Sequence, residues 1–300
     1  MRMDTSRNRA AGLSVRQSEA LMAAVIVARS TSFVFSRMAI NSMSPFNILA
    51  VRFLAAFAIL LILFSGKLRR LNRRVLRNGV ILGATCEAMM AFEMLGIRYA
   101  ETSLASLIEN AAFILVPVPE ILLLGVYPTK AAVKGMALAF LGLLVLGTGM
   151  TGGIGRGGPY LLLAMACYAG TIFETSVFAK EGEPLLVGIV QMGTMGTLSL
   201  LLTLGFERFR LPQTGAEWAM ILMLAVVCSV FGFTLQPVAQ RGLTASRAGM
   251  FSVLNPLAAM LWGYLVLGER ITPVKALGAA LIVAGLLLPA AADAKVEDGR

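Results

Sequence analysis

The sequence predicts an all-α integral membrane protein, with ten transmembrane helices arranged as two inverted five-helix repeats. Three observations point there. The 300 residues are 58% hydrophobic and 14% charged, with a mean hydropathy of +0.81, a balance that leaves too little polar surface to cover a water-soluble globule. Apolar runs of about 20 residues, the length that crosses a hydrocarbon core, recur along the whole chain, without the shorter alternating segments of a barrel. The chain also matches itself when slid by 143 residues, as Arg98 meeting Arg241 shows.

In order, the runs cover about 20–40, 47–65, 78–98, 103–125, 131–150, 158–180, 184–205, 217–239, 245–267 and 273–291. The links between them are short, and several carry breakers: SMSPF at 42–46, VYPT at 126–129, TGGIGRGGP at 151–159 and EGEP at 181–184. No extramembrane domain fits, so any function lies inside the bilayer. The expected organisation is a cytoplasmic tail at 1–17, a first repeat at 18–150, a second, inverted repeat at 151–291, and a cytoplasmic tail at 292–300.

Polar side chains within these runs face the bundle interior or a water-filled path, because placing a charge in lipid costs about 2.5–3.5 kcal/mol on insertion scales. Helical spacing sorts them. The first run puts Arg29, Ser32 and Ser36 on one face, and the third adds Glu87, Met90 and Met94. The fourth has a continuous stripe of Thr102, Ser106, Glu109, Phe113, Pro117 and Glu120, with Asn110 beside it. The fifth instead repeats glycine every seven residues, at Gly135, Gly142 and Gly149, and the tenth echoes it with Gly278 and Gly285; such faces suit close helix packing or a dimer contact rather than pore lining. The sixth carries Tyr160, Cys167, Thr171, Glu174 and Phe178, and the eighth Ser229, Phe233, Gln236 and Gln240. Structural readings compete with functional ones. Glu109 or Glu174 could pair with Arg29, Arg37 or Arg52 merely to hold helices together. Pro117, Pro119 and Pro256 mark kinks, most methionines pack, and Glu269 with Arg270 fixes a turn.

The net charge of +10 does not indicate nucleic acid, because its distribution follows topology. With the N-terminus in the cytoplasm, 17 of the 26 lysines and arginines lie on the inner side and six on the outer, including the inner cluster KLRRLNRRVLR at 67–77. The positive-inside rule therefore places both termini in the cytoplasm. The basic N-terminal tail leads into the first run without a small-residue cleavage site, so no removable signal peptide is expected. There is no histidine, and Cys86, Cys167 and Cys228 have neither paired nor metal-type spacing. The single GK, at 66–67, lacks the rest of a phosphate-cradling loop. No metal, cofactor or ATP-driven chemistry is expected.

In the 143-residue register, Ser103 meets Ser246, Ala105 meets Ala248, Gly125 meets Gly268, Thr129 meets Thr272, Gly135 meets Gly278 and Gly142 meets Gly285. Five runs per half is odd, so the second half starts from the opposite face. Inverted repeats of this kind are typical of secondary transporters with a site near the membrane midplane.

The residues also carry a family resemblance. NILAVRFLAAFAILLIL at 47–63 resembles the second span of EamA-type drug/metabolite transporters, with Arg52-Phe53 at its outer end. The stretch GLTASRAGMFSVLNPLAAMLWGYLVLGERITPVKALGAALIVAGLLL at 242–288 resembles that family's closing signature: Asn255-Pro256 midway, Gly268-Glu269-Arg270, then Gly278 and Gly285. The first half has Gly125-Val126-Tyr127 where the second has Gly-Glu-Arg. Within the family the chain is most similar to YddG-type exporters of aromatic and other amino acids.

The resemblance implies export of amino acids, aromatic and hydrophobic ones preferred, across the bacterial inner membrane by alternating access. A zwitterion needs an anionic or carbonyl partner for its ammonium, for which Glu109 or Glu174 is placed. Its carboxylate needs a cation, amide or hydroxyl: Arg29, Ser36, Asn110 or Gln236. With Glu87, Met90, Phe113 and Thr171 these form the expected cavity lining. Export of another metabolite or a cationic drug is the alternative within the class. A membrane-embedded enzyme or channel is the alternative outside it, and against an enzyme stands the want of a histidine, a metal cluster or a nucleophile with an evident base.

Overall fold

The computed structural model describes residues 13–99, 102–148, 155–267 and 272–298. Every regular element among them is helical. Eight helices are long and apolar enough to cross a membrane: α1 (Val15–Ile40), α2 (Pro45–Leu63), α3 (Arg73–Tyr99), α4 (Thr102–Asn110, resuming as Pro117–Leu124), α5 (Lys130–Gly147), α6 (Gly158–Glu181), α7 (Pro184–Phe206) and α8 (Gly215–Gln240). Two further helical segments follow: α9 (Ala245–Phe251, then Leu254–Leu267) and α10, which runs from Pro273 through the expected tail to Asp298. The Gly268-Glu269-Arg270 turn, Gly149 and residues 1–12 of the expected N-terminal tail lie outside the described residues.

Helix starts follow local chemistry. Ser14 and Gln17 form a reciprocal capping box on α1, while Thr129, Thr214 and Thr244 accept the backbone N–H groups of Ala132, Glu217 and Arg247. Pro45 and Pro184 open α2 and α7, where a missing N–H costs nothing. Gly125, at φ +64°, closes α4 in the left-handed conformation that glycine adopts without strain.

In the packed bundle α3 contacts both α6 and α7, α2 lies along α7, α1 lies against α8 and α9, and α5 pairs with α10. Among the described residues three of these helices are interrupted, each ahead of or at a proline. Pro117 and Pro119 have no N–H to offer the carbonyls of Phe113 and Leu115, and α4 tightens into a 3-10 turn over Ala111–Ile114. α8 widens into π-helix over Leu224–Phe233, ahead of Pro237. α9 breaks at Ser252–Val253, ahead of Pro256. The interruptions in α4 and α9 are laced together: the Asn255 amide donates to Asn110 Oδ1 at 3.1 Å, and the Ser252 hydroxyl to the Asn110 carbonyl at 3.2 Å.

Glu120, also on α4, has a separate task. Its buried carboxylate accepts the backbone N–H groups of Ala245 at 2.8 Å and Ser246 at 3.0 Å, together with the Ser246 hydroxyl, and so caps α9. Glu120→Ala is expected to lower stability by about 2–3 kcal/mol, because it strands buried donors on charge-assisted bonds. Thermal melting in detergent checks this, and Glu120→Gln should fall between the two.

Candidate functional site

The most polar part of the interior is assembled by α1, α2, α3, α4, α6 and α8. Arg29 of α1 is buried, donates to Gln236 Oε1 of α8 at 2.5 Å, and lies over the Phe233 ring at 4.0 Å and the Tyr168 ring of α6 at 5.4 Å. Arg52 of α2 is fully buried and donates to Ser229 Oγ at 2.8 Å and Ser32 Oγ at 2.9 Å. Facing them, Glu93 of α3 and Glu109 of α4 lie against each other within reach of the Arg29 charge.

Two arginines and two carboxylates balance in formal charge, yet the ion pairs among the described residues lie elsewhere: Arg74–Glu181, Arg210–Glu217 and Arg247–Glu19. Unused bonding capacity remains at Arg52 Nη2, Glu109 Oε2, Tyr168 Oη and Gln236 Nε2, all buried without a partner in the protein. Burial makes such groups strong ligands for a solute carrying both charges, since an unmatched polar group in a low-dielectric interior is costly.

The other residues singled out from the sequence divide between this cluster and its surroundings. Ser36 is fully buried on the Arg29 face of α1, its hydroxyl unpartnered. Met90 is buried in the apolar core. Phe113 sits in the 3-10 turn beside Gly249, and Asn110 is engaged with Ser106 and Asn255, so both serve the joint between α4 and α9. Thr171 bonds the Cys167 carbonyl of its own helix. Glu174 is half-buried and accepts from Thr85 of α3. Arg37 donates to the Ile97 carbonyl.

Glu87 turns away from the cluster. It is six residues from Glu93, about 120° around the helix, and four from Gly83, which abuts Gln191 and Thr194 of α7. Sequence reasoning passed over Glu93 and Tyr168 because it began the α3 stripe at Glu87 and ran the α6 stripe from Tyr160 through Cys167, one position short of Tyr168. The signal was present: Cys86, Met90, Glu93 and Ile97 are also spaced by three or four and are all buried.

Cavities open at both ends of the bundle. One of about 780 Å³ lies at the C-terminal end of α1, lined by Asn41, Ser42, Phe46, Arg98, Phe206 and Glu207. Another, of about 250 Å³, lies at the N-terminal end of α1, beside Glu19, Glu120, Tyr127 and Arg247. There Arg247 bonds Glu19 and the Leu286 carbonyl, joining α1, α9 and α10. At the other end Arg210 clasps Glu217 with two hydrogen bonds, which raise its guanidinium pKa above the ordinary value, and also bonds the Ser42 carbonyl.

Comparison with known proteins bears on this arrangement. Residues 18–148 and 155–290 match the model of the EamA-like transporter family. An uncharacterized transporter of Archaeoglobus fulgidus is 23% identical over 293 residues, covering 90% of this chain and 96% of that one. A protein of Salmonella typhimurium named a probable amino-acid metabolite efflux pump is 24% identical over 277 residues, covering 88% and 91%. A solved crystal structure superposes with a TM-score of 0.78 at 18% identity, over 94% of this chain and 99% of the other.

Proposed function

The chain belongs to the EamA-like transporter family, and on that premise we propose that this multi-pass membrane transporter exports amino acids, aromatic and hydrophobic ones preferred, from the cytoplasm across the bacterial inner membrane. One observation carries the substrate class. Arg52 and Glu109 keep unused bonding atoms in one buried cluster that holds no close ion pair and is walled by Phe233 and Tyr168. The ammonium of an amino acid meets Glu109, its carboxylate meets Arg52 with the Tyr168 hydroxyl and the Gln236 amide, and an aromatic side chain finds ring faces. The name of the Salmonella relative is in keeping with this reading.

Ten spans in two inverted repeats, with both termini cytoplasmic, complete the proposal. The family model matches the two halves separately. The packing supports a pseudo-two-fold axis as well: α1 lies on α8 as α3 lies on α6, while α2 with α7 and α5 with α10 pair across it. Interrupted helices beside the cluster give the bundle places to bend, and the cavities at opposite ends suit alternating access.

The test is counterflow in proteoliposomes, with labelled phenylalanine set against a cationic dye. Saturable, trans-stimulated phenylalanine flux is expected. Flux of the dye alone would assign the protein to cationic drugs, and flux without trans-stimulation would make it a channel.

A further inference from the structure

A second buried carboxylate stands apart from the substrate cluster. Glu87 is 2% exposed, and neither of its oxygens has a partner. Across the α3–α7 seam the Ser199 hydroxyl, fully buried, comes within reach of it without a formed hydrogen bond. On the same helix Gln191, which lies against Cys86 and Gly83 of α3, also keeps its Oε1 buried without a partner.

The surroundings say what this pair binds. α7 carries no titratable side chain between Pro184 and Phe206. From α2 the one charge that reaches Glu87 is Arg52, which forms no ion pair with it. On α6, Glu174 is bound to Thr85 and Tyr168 faces Arg29, while Glu93 and Glu109 point to the central cluster. Cys86 adjoins Glu87 on its own helix.

A bare carboxylate here would have the Ser199 hydroxyl as its one nearby donor, too little to replace the water it gives up. A divalent metal ion of the hard, oxygen-binding kind takes about six or more oxygen ligands, more than Glu87, Ser199 and Gln191 supply. A proton needs only one donor–acceptor partner, and a serine hydroxyl is both.

We propose that Glu87, backed by Ser199, is a proton-binding site that couples transport to the pH gradient, separate from the cluster that holds the amino acid. The proposal deepens the export reading and rests on it for the coupling. The step is simple: the carboxyl O–H bond breaks, the proton leaves on water toward one face, and the carboxylate takes a proton from the other face in the next half-cycle.

Two readouts separate this site from the export reading. In infrared pH titrations of the full-length protein in lipid, a carboxylic-acid band that vanishes on raising the pH is expected in the wild type and in Glu109→Gln, and missing in Glu87→Gln. Its survival in Glu87→Gln overturns the proposal, whatever the substrate. In proteoliposomes, Glu87→Gln is expected to lose at least tenfold of pH-driven phenylalanine accumulation, while exchange at equal pH stays within twofold of wild type; Ser199→Ala should give a milder loss. Undiminished pH-driven accumulation in Glu87→Gln, driving by sodium in place of pH, or loss of exchange in a variant that melts like wild type would each overturn the coupling. A titrating band in a protein that moves no amino acid would leave the proton site standing and sink the export reading alone.

Discussion

Glu109→Gln is expected to cut amino-acid flux roughly 10- to 100-fold, the equivalent of losing one charge-assisted hydrogen bond of about 1.5–3 kcal/mol, while leaving the protein inserted and as heat-stable as the wild type. The asymmetry follows from the geometry. Glu109 is 2% exposed, makes no ion pair, and keeps Oε2 without a partner. The fold therefore draws little from its charge, and Gln keeps its shape and relieves the burial penalty. A substrate ammonium loses its counter-charge, so every solute carrying that group should weaken, whatever its side chain. Loss of melting temperature together with flux would instead make Glu109 a structural charge balancing Arg29. Wild-type melting with undiminished flux for every amino acid tested would remove it from the site.

The variant also discriminates between Glu109 and its neighbour. Glu93 shares the cluster but lies nearer in effect to Arg52, the first charge acting on it. Glu93→Gln should therefore disturb the carboxylate end of the site more than the ammonium end. Its signature would be poorer discrimination of amino acids from amines of the same side chain, read in the same flux assay.

Much of the helical layout was legible because the solvent imposes it. Lipid demands runs of about 20 apolar residues, and the run expected at 184–205 became Pro184–Phe206 because proline and a following apolar stretch leave few other starting points. The prolines at 117, 119 and 256 were read as kinks, and they stand beside interruptions in α4 and α9. The π-helical stretch of α8 was not anticipated, since LAVVCSVFGF reads as an ordinary apolar helix and the one local signal, Pro237, lies just beyond it.

The site was legible in kind and less so in detail. That Arg29, Glu109 and Gln236 are buried follows from the price of exposing them to lipid, whereas which buried groups meet depends on helix rotation. A stripe drawn through Glu87 instead of Cys86 sits more than a quarter-turn from the one that matters, and so Glu93 was missed. Asn110 and Glu120 look on paper like any polar residue of a transport path. The structure gives them the partners Asn255 and Ser246, which belong to a segment more than a hundred residues away.

The α5–α10 pair is where a single methyl group should do the most damage. A Cβ on Gly285 would lie 2.5 Å from the Gly135 carbonyl oxygen and 2.7 Å from the Ala139 nitrogen, both backbone atoms that no rotamer change can move. The contact is mutual along the seam: a Cβ on Gly142 would meet the Gly278 carbonyl at 2.8 Å, and one on Gly278 the Gly142 carbonyl at 2.9 Å. In lipid there is no hydrophobic drive to hold separated helices together, so what closes this pair is the van der Waals contact that glycine permits. Gly285→Ala is expected to cost about 1–3 kcal/mol as overpacking. Gly285→Leu should go further and abolish recovery of monodisperse protein, because four heavy side-chain atoms must fit where one already collides. Gly205→Ala is the control: a Cβ there meets nothing within 4 Å, and the change should be neutral or slightly stabilising. The measurement is melting temperature and yield in detergent, followed by flux per folded molecule. The partly folded Gly285→Ala protein should transport with unchanged substrate preference, since the atoms that collide belong to Gly135 and Ala139 and not to the Arg29–Glu109 cluster. A variant that folds normally but prefers different amino acids would place the seam in the transport path and dismantle the division between a rigid α5–α10 support and a bending centre.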